Sequence, residues 1–427
     1  MFQTLRNAWK IADLRKKLLF TLFIVVIFRI GCHIPVPFID HAAVKSLMES
    51  YGAGNLLGYM NMLSGGALSQ ATIFALSISP YITAQIIVQL LTIAIPALER
   101  MSKNGEEGRK QINNITKYAT IVLAVVQALA YYLTMKSSGV ITDGSLFKGA
   151  VIILTFTAGA LLVMWLGNLI DKSGIGNGIS MILFAGILAG GPSAATTLWQ
   201  YFMLGKQDFK YYILVPVILV MFLLIIAFIV LMTNAERRIP VQYAKRVVGR
   251  KMYGGNSTNL PIKVNMSGVL PIIFASSIMA SPGTIGAFVK AESGFWKGFF
   301  NLFQYNNWLY GILLFLLIIA FNYFYVAIQY NPIQIANDLR KNNGGVPGIR
   351  PGKPTSDFIA KVVSKITLLG GLFLGVMAVL PIVVGALTGI NIALGGTTVM
   401  ILVGVAIDTV RELESQMMMR HYKGFLE

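Results

Sequence analysis

"ISPYI", Ile78 to Ile82, and "VLPII", Val269 to Ile273, each set one proline among branched apolar residues, and their reading decides how this chain is folded. Both fall inside stretches apolar enough to cross a bilayer, yet each carries a residue that removes a backbone donor. In lipid such an interruption is tolerated only where neighbouring helices or a water-filled cavity satisfy the freed backbone. Around them 56% of the residues are hydrophobic and only 12% charged, the composition of a chain whose solvent is lipid.

A span needs about 20 mostly apolar residues. Strong candidates lie near 18–36, 116–135, 149–170, 211–233, 307–330 and 366–388, and weaker ones, broken by Gly, Pro, Ser or Thr, near 72–96, 178–198, 267–289 and 393–410. Ten spans put both chain ends on one side, and Lys and Arg say which. Of the 35, 27 fall in the two tails and the even-numbered connections, against seven in the odd-numbered ones. Positive charge collects in cytoplasmic loops, so both termini are expected in the cytoplasm. The same loops account for the formal charge of +18 without nucleic acid. The basic-then-apolar "LRKKLLFTLFIVVIF" runs on into "FRIGCHIPVP" with no small-residue cleavage site, which reads as a retained first helix. Before it, Phe2, Leu5, Trp9 and Leu14 alternate with Arg6, Lys10 and Arg15, a pattern suited to a helix on the cytoplasmic surface.

Ten spans divide into five and five, and because five is odd the second half enters the membrane in the opposite sense. The expected fold is therefore an all-α polytopic membrane protein with ten transmembrane helices in two inverted five-helix halves, residues 1–205 and 206–427. The proline pair falls in the second helix of each half, where matching interruptions point to the functional site of an inverted repeat. Ionisable groups are nearly missing from the span centres: Arg29 lies late in the first, and Asp171 and Asp408 sit close to span ends. Uncharged polar residues take their place, namely Ser79, Thr83, Gln85 and Gln127 in the first half and Ser276, Ser277 and Ser281 in the second. Such residues either hold helices together or line a wettable seam. A secondary transporter of small solutes is the alternative for an inverted repeat, but it calls for charged or coordinating groups at the midplane.

A single cysteine, Cys32, excludes an intrachain disulfide, and three scattered histidines offer no metal site. No phosphate loop or nucleophile–base pair points to catalysis, and no cofactor is expected. Two long cytoplasmic loops, 234–266 and 331–365, mix cations with turn residues and hold too few apolar residues to fold alone; they read as docking surfaces. One segment remains, "GNLLGYMNMLSGGALSQ" at 54–70, apolar but too short and glycine-rich to cross a bilayer. Its glycines, Gly54, Gly58, Gly65 and Gly66, would each weaken a helix by about 0.5–1 kcal/mol relative to alanine.

Several long strings resemble one family throughout. They include "FRIGCHIPVP", "SGGALSQATIFALSISPYITAQIIVQLL", "NGEEGRKQINNITKYATIVLAVVQAL", "GIGNGISMILFAGI", "NLPIKVNMSGVLPIIFASSI", "NPIQIANDLRKNNGGVPGIRPGKPT" and "ESQMMMRHYKGF". Together they are similar to the SecY family, channel subunits of the bacterial Sec protein-translocation machinery. The resemblance implies a clamshell channel in the cell membrane that passes or inserts polypeptides, with a lateral gate between helices 2 and 7. It implies a pore ring of Ile78, Ile82, Leu183, Ile187, Ile273 and Ile401, Leu183 standing where isoleucine is common. Within that ring Ile78 with Ile82, and Leu183 with Ile187, are i, i+4 pairs on one helix face. Segment 54–70 would be the plug, with Asn55, Leu56, Leu57, Tyr59, Met60, Met62 and Leu63 in it. The lateral gate would be lined by Thr83, Gln85, Ile86, Gln127, Ser276, Ser277 and Ile278, Gln85 standing where the family usually has a small residue. Lys245, Arg246, Arg250, Lys251, Arg350 and Lys353 would dock cytoplasmic partners. The implied partners are SecE, SecG, the SecA ATPase, the ribosome, signal sequences and the lipid bilayer, and a homo-oligomer is left open.

Overall fold

The computed structural model describes residues 2–51, 61, 64–141, 145–206, 209–243, 246–248, 251–253, 257–289, 308–388 and 396–423. Helices dominate. A short α1 (Phe2–Lys10) is followed by α2 (Ala12–Gly31), α3 (His41–Tyr51), α4 (Ser79–Ala94), α5 (Pro96–Lys103), α6 (Gly105–Ser137), α7 (Leu146–Ser173), α8 (Gly178–Ala189) and α9 (Gly191–Leu204). The second part holds α10 (Lys210–Asn234), α11 (Leu270–Val289), α12 (Trp308–Gln329), α13 (Pro332–Lys341), α14 (Lys353–Thr388) and α15 (Gly396–Lys423). Each of the ten expected spans meets a helix. Among the described residues, six helical stretches are long and apolar enough to cross a bilayer by themselves, α8 and α9 together making one of them. A seventh is the pair α4 and α5 taken together, bent by 106° at its break. That bend has a local cause: Ile95 is extended before Pro96, as a residue preceding proline must be, and α5 restarts at a new angle.

The two prolines of the opening motifs do not kink helices. Pro80 is the second residue of α4 and Pro271 the second of α11, so each sits in a first turn, where its missing N–H is an orphan anyway and its fixed φ favours helix. The expected span 72–96 is correspondingly helical only from Ser79. Residues 64–78 are turns, and they are buried: Ala67, Leu68, Ala71, Thr72 and Ile78 are each at most 1% exposed. Backbone bonds stitch this stem to the chain leaving α2, with Val36 N donating to Ala71 O at 3.1 Å and Ile73 N to Ile34 O at 3.0 Å. On its far side the Tyr131 hydroxyl of α6 donates to Leu68 O at 2.7 Å.

Buried apolar residues sort themselves along the chain. One cluster is confined to residues 36–160, with Tyr131, Ile152 and Phe156 at its centre. Another is confined to 225–407, around Ile229, Leu314, Ile318 and Leu374. In the latter, Asn322 of α12 takes a hydrogen bond from Ser267 and gives one to Thr367 O at 2.7 Å, pinning the lead-in of α11 to α14. A third cluster joins residues from both ends of the chain, Ile24 to Val405. The chain ends also meet: Ala8 and Leu14 pack with Ile175 and Leu413, and Thr4 donates to Glu414 at 3.0 Å. Tail, fourth connection and carboxyl-terminal helix therefore pack together.

The two basic loops do not stay separate or irregular. β1 (Glu236–Tyr243) pairs antiparallel with β4 (Ser257–Lys263), Ile239 opposite Leu260, and β5 (Gly344–Gly345) adds to the other edge of β1. Between β1 and β4, β2 (Arg246–Val248) pairs with β3 (Lys251–Tyr253). Ile239, Val241 and Ile262 bury against Val326, Leu339, Ile359 and Val363, so apolar residues from α12, α13 and α14 complete a core that neither loop could build alone. α13 is itself well defined: Asn331 caps it by accepting from Ile333 N and Gln334 N, Pro332 occupies its first position, and Arg340 and Lys341 close its last turn.

Candidate functional site

The third cluster is where the expected ring residues go. Ile78 precedes α4 and Ile82 follows one turn later; Leu183 and Ile187 share a face of α8; Ile273 comes from the first turn of α11 and Ile401 from α15. All six belong to one buried cluster, with exposures of 1%, 7%, 3%, 0%, 5% and 0% respectively. Four helices thus bring these branched apolar side chains into one cluster, two from each part of the chain. A collar of such side chains would give an ion nothing in place of its hydration shell, while aliphatic side chains can yield around an extended chain of any sequence.

The residues expected at the lateral gate lie beside this cluster and on α6. α4 and α11 touch directly. Ile86 is buried in the ring cluster and Ser276 is 6% exposed, while Thr83, Gln85 and Ser277 are half-buried and Ile278 is exposed. The hydroxyls of Thr83 and Ser277 each bond back to the carbonyl four residues earlier, Ser79 O at 3.0 Å and Ile273 O at 2.8 Å. Gln127 lies on α6, which packs along α4, and its Oε1 is buried with no hydrogen-bond partner among the described residues. The side chain of Ser281 lies outside the described residues, as do plug residues Asn55, Leu56, Leu57, Tyr59, Met60, Met62 and Leu63. Of segment 54–70, residues 61 and 64–70 are described, and 64–70 form turns. Gly65 and Gly66 are there for their left-handed conformation, φ 68° and 87°, and not to soften a helix.

Of the expected docking residues, Arg246 and Lys251 lie on the paired strands β2 and β3, and Lys245 and Arg250 lie outside the described residues. Arg350 and Lys353 are exposed. The backbone of Arg350 is held on both sides: Gly348 and Gly352 take φ of 79° and 104°, which side chains rarely adopt, and Thr355, buried at 2%, donates to Arg350 O at 2.8 Å.

Sequence reasoning missed three features here. Ser77, with φ 48°, and Asn265 precede α4 and α11, and each has a buried side-chain oxygen without a partner among the described residues. Asn265 borders a cavity of about 210 Å³ with Lys263, Asp408 and Arg411. The third is Arg29, whose Nη1 donates to Gly65 O at 3.1 Å. Only the rarity of a cation in a span singled it out.

The SecY family model matches residues 72–410. Full-length relatives include the protein translocase subunit SecY of Streptomyces galbus, 43% identical with 100% of both chains covered, and that of Mycobacterium tuberculosis (strain ATCC 25618 / H37Rv), 41% identical with the same coverage. Among solved structures, a protein conducting channel superimposes with a TM-score of 0.65 at 18% identity, covering 94% of this chain and 92% of the other. Sec61 in the canine ribosome-channel complex from the endoplasmic reticulum gives 0.61 at 18% identity, with the same coverage. The structures speak for the fold and the sequences for kinship; a match over most of the chain and 41–43% identity over all of it mean that the chain belongs to the SecY family.

Proposed function

We propose that this chain is the channel-forming subunit of a protein translocase, carrying secretory polypeptides across the cell membrane and releasing hydrophobic segments sideways into it. The carrying observation is the convergence of Ile78, Ile82, Leu183, Ile187, Ile273 and Ile401, from four helices of both halves, in one buried cluster. In this reading the halves 1–205 and 206–427 form the two jaws, ten helices span the membrane with both termini in the cytoplasm, and the jaws part along α4 and α11. Thr83, Gln85, Ile86, Gln127, Ser276, Ser277 and Ile278 line that lateral gate, and segment 54–70 is the plug. The two basic loops, joined through β1, β4 and β5, are the docking platform, with Lys245, Arg246, Arg250, Lys251, Arg350 and Lys353 as its cations. Guanidinium and ammonium groups fit the carboxylates of the SecA motor and the phosphates of ribosomal RNA alike. SecE and SecG complete the complex in the membrane. A solute transporter is disfavoured, because the collar is wholly aliphatic and holds no group that would bind or relay charge.

Reconstitution into liposomes tests the reading. With SecA and ATP, a secretory precursor should become protected from added protease inside the vesicles. Uptake of small solutes in the absence of any precursor, with no precursor uptake, would overturn it.

A further inference from the structure

Arg29 stands in the last turn of α2, where a cation is favoured by the helix dipole and a long side chain could simply reach outward. It turns inward instead, to Gly65 O. A carbonyl at a left-handed turn has no helical donor, and this one sits beside a buried apolar cluster, where the guanidinium supplies the donor. Gly65 is wedged: a Cβ there would stand 2.8 Å from Arg29 Nη1, 3.0 Å from Gly186 O and 3.1 Å from Gly186 Cα. Gly186 belongs to α8, next to Ile187 and within a turn of Leu183.

Two further contacts from α2 and its end hold the same stem. The Cys32 thiol donates to Ser64 O at 3.7 Å. Phe28 stacks on Phe74 with centroids 5.9 Å apart, four residues before Ile78. Phe28, Cys32, Ala67 and Phe74 all belong to the cluster that contains the ring.

We propose that Arg29 is a positioning residue of the seal: its guanidinium holds the turn at Gly65 against Gly186, and so sets how closely the ring residues of α4 approach those of α8. The inference rests on the pore reading of that cluster. Arg29→Met keeps the apolar stem and removes the donor. Ion conductance of proteoliposomes carrying the variant in its complex should rise on the order of tenfold, the size expected for losing a hydrogen bond from a charged donor. Arg29→Lys restores a charged donor and should bring conductance back to near the parent level. Tyr131→Phe releases the stem at Leu68, on the side away from α8, and should leave conductance unchanged. If Arg29→Met does not yield folded protein, Arg29→Gln, too short to reach Gly65, carries the same test. Unchanged conductance in the Met or Gln variant overturns the inference, as does a Lys variant that leaks equally, or a Tyr131→Phe channel that leaks as much. Ile401→Asn measured alongside separates the two readings: if it leaks and Arg29→Met does not, only the role of Arg29 fails, whereas if neither leaks the pore reading fails as well.

Discussion

Replacing Ile401 by asparagine probes the collar at a fully enclosed point, since this side chain is 0% exposed and shares a buried cluster with ring residues of other helices. In the closed channel the substitution loses about 1.5–3 kcal/mol of apolar burial and encloses an unpartnered amide at about 1–3 kcal/mol, together about 2.5–6 kcal/mol. In an open channel the same amide meets water or a passing polypeptide and neither cost applies in full. At about 1.4 kcal/mol per decade, even the lower figure raises the open-to-closed ratio on the order of fiftyfold. The assay is single-channel and vesicle ion conductance of the reconstituted complex, with precursors bearing defective signal sequences as a second readout. Ile407 supplies the control: it lies on the same helix, is 4% exposed, and packs in the cluster of the second half without the ring. Ile407→Asn should lower thermal stability by a similar amount and leave the folded channel tight. Equal leak from both variants would refute the reasoning, because the effect would then be general loosening of the protein; so would an Ile401→Asn channel as tight as the parent.

Three more outcomes are expected. Cysteine pairs joining Thr83 or Ile86 to Ser277 or Ile278 should crosslink wherever their Cα atoms come within roughly 7 Å, and a locked seam should stop signal-sequence insertion; normal translocation by locked channels would move the gate elsewhere. Arg350→Glu reverses an exposed charge on a rigid turn, so SecA-driven precursor import should fall sharply while complex assembly and ion tightness persist, and loss of all three together would assign the residue to the fold. Asn322→Leu leaves the Ser267 hydroxyl unpaired in the core and should cost about 1–3 kcal/mol, read as a lower melting temperature of the purified complex; an unchanged melting temperature would show that the network pins nothing.

Hydropathy, charge bias and helical spacing are local properties, and what rests on them was legible in the chain by itself. Twenty apolar residues in a row bury themselves in lipid whatever their neighbours do, so the positions of the helices follow from the sequence, as does the shared helix face of Leu183 and Ile187. The turns at Gly65 and Gly66, and the start of α4 next to Pro80, are also local, but the sequence reads as a softened helix and an interrupted span, because glycine and proline do not say on which side of a helix end they stand. The rest depended on partners remote in sequence. Gln242 pairs with Gly345, and Ile239 finds its core in Ile359 and Val363; strand pairing satisfies backbone groups only when the other strand arrives, so loops that looked unable to fold alone gave no sign of folding together. Arg29 has the composition of an outward-reaching cation, and only the placement of Gly65 between it and Gly186 turned it inward. For the collar, the residues themselves named the candidates through their resemblance to a family, but burial is a property of what surrounds a side chain, and it took the packing of α4, α8, α11 and α15 to enclose six aliphatic residues in one cluster.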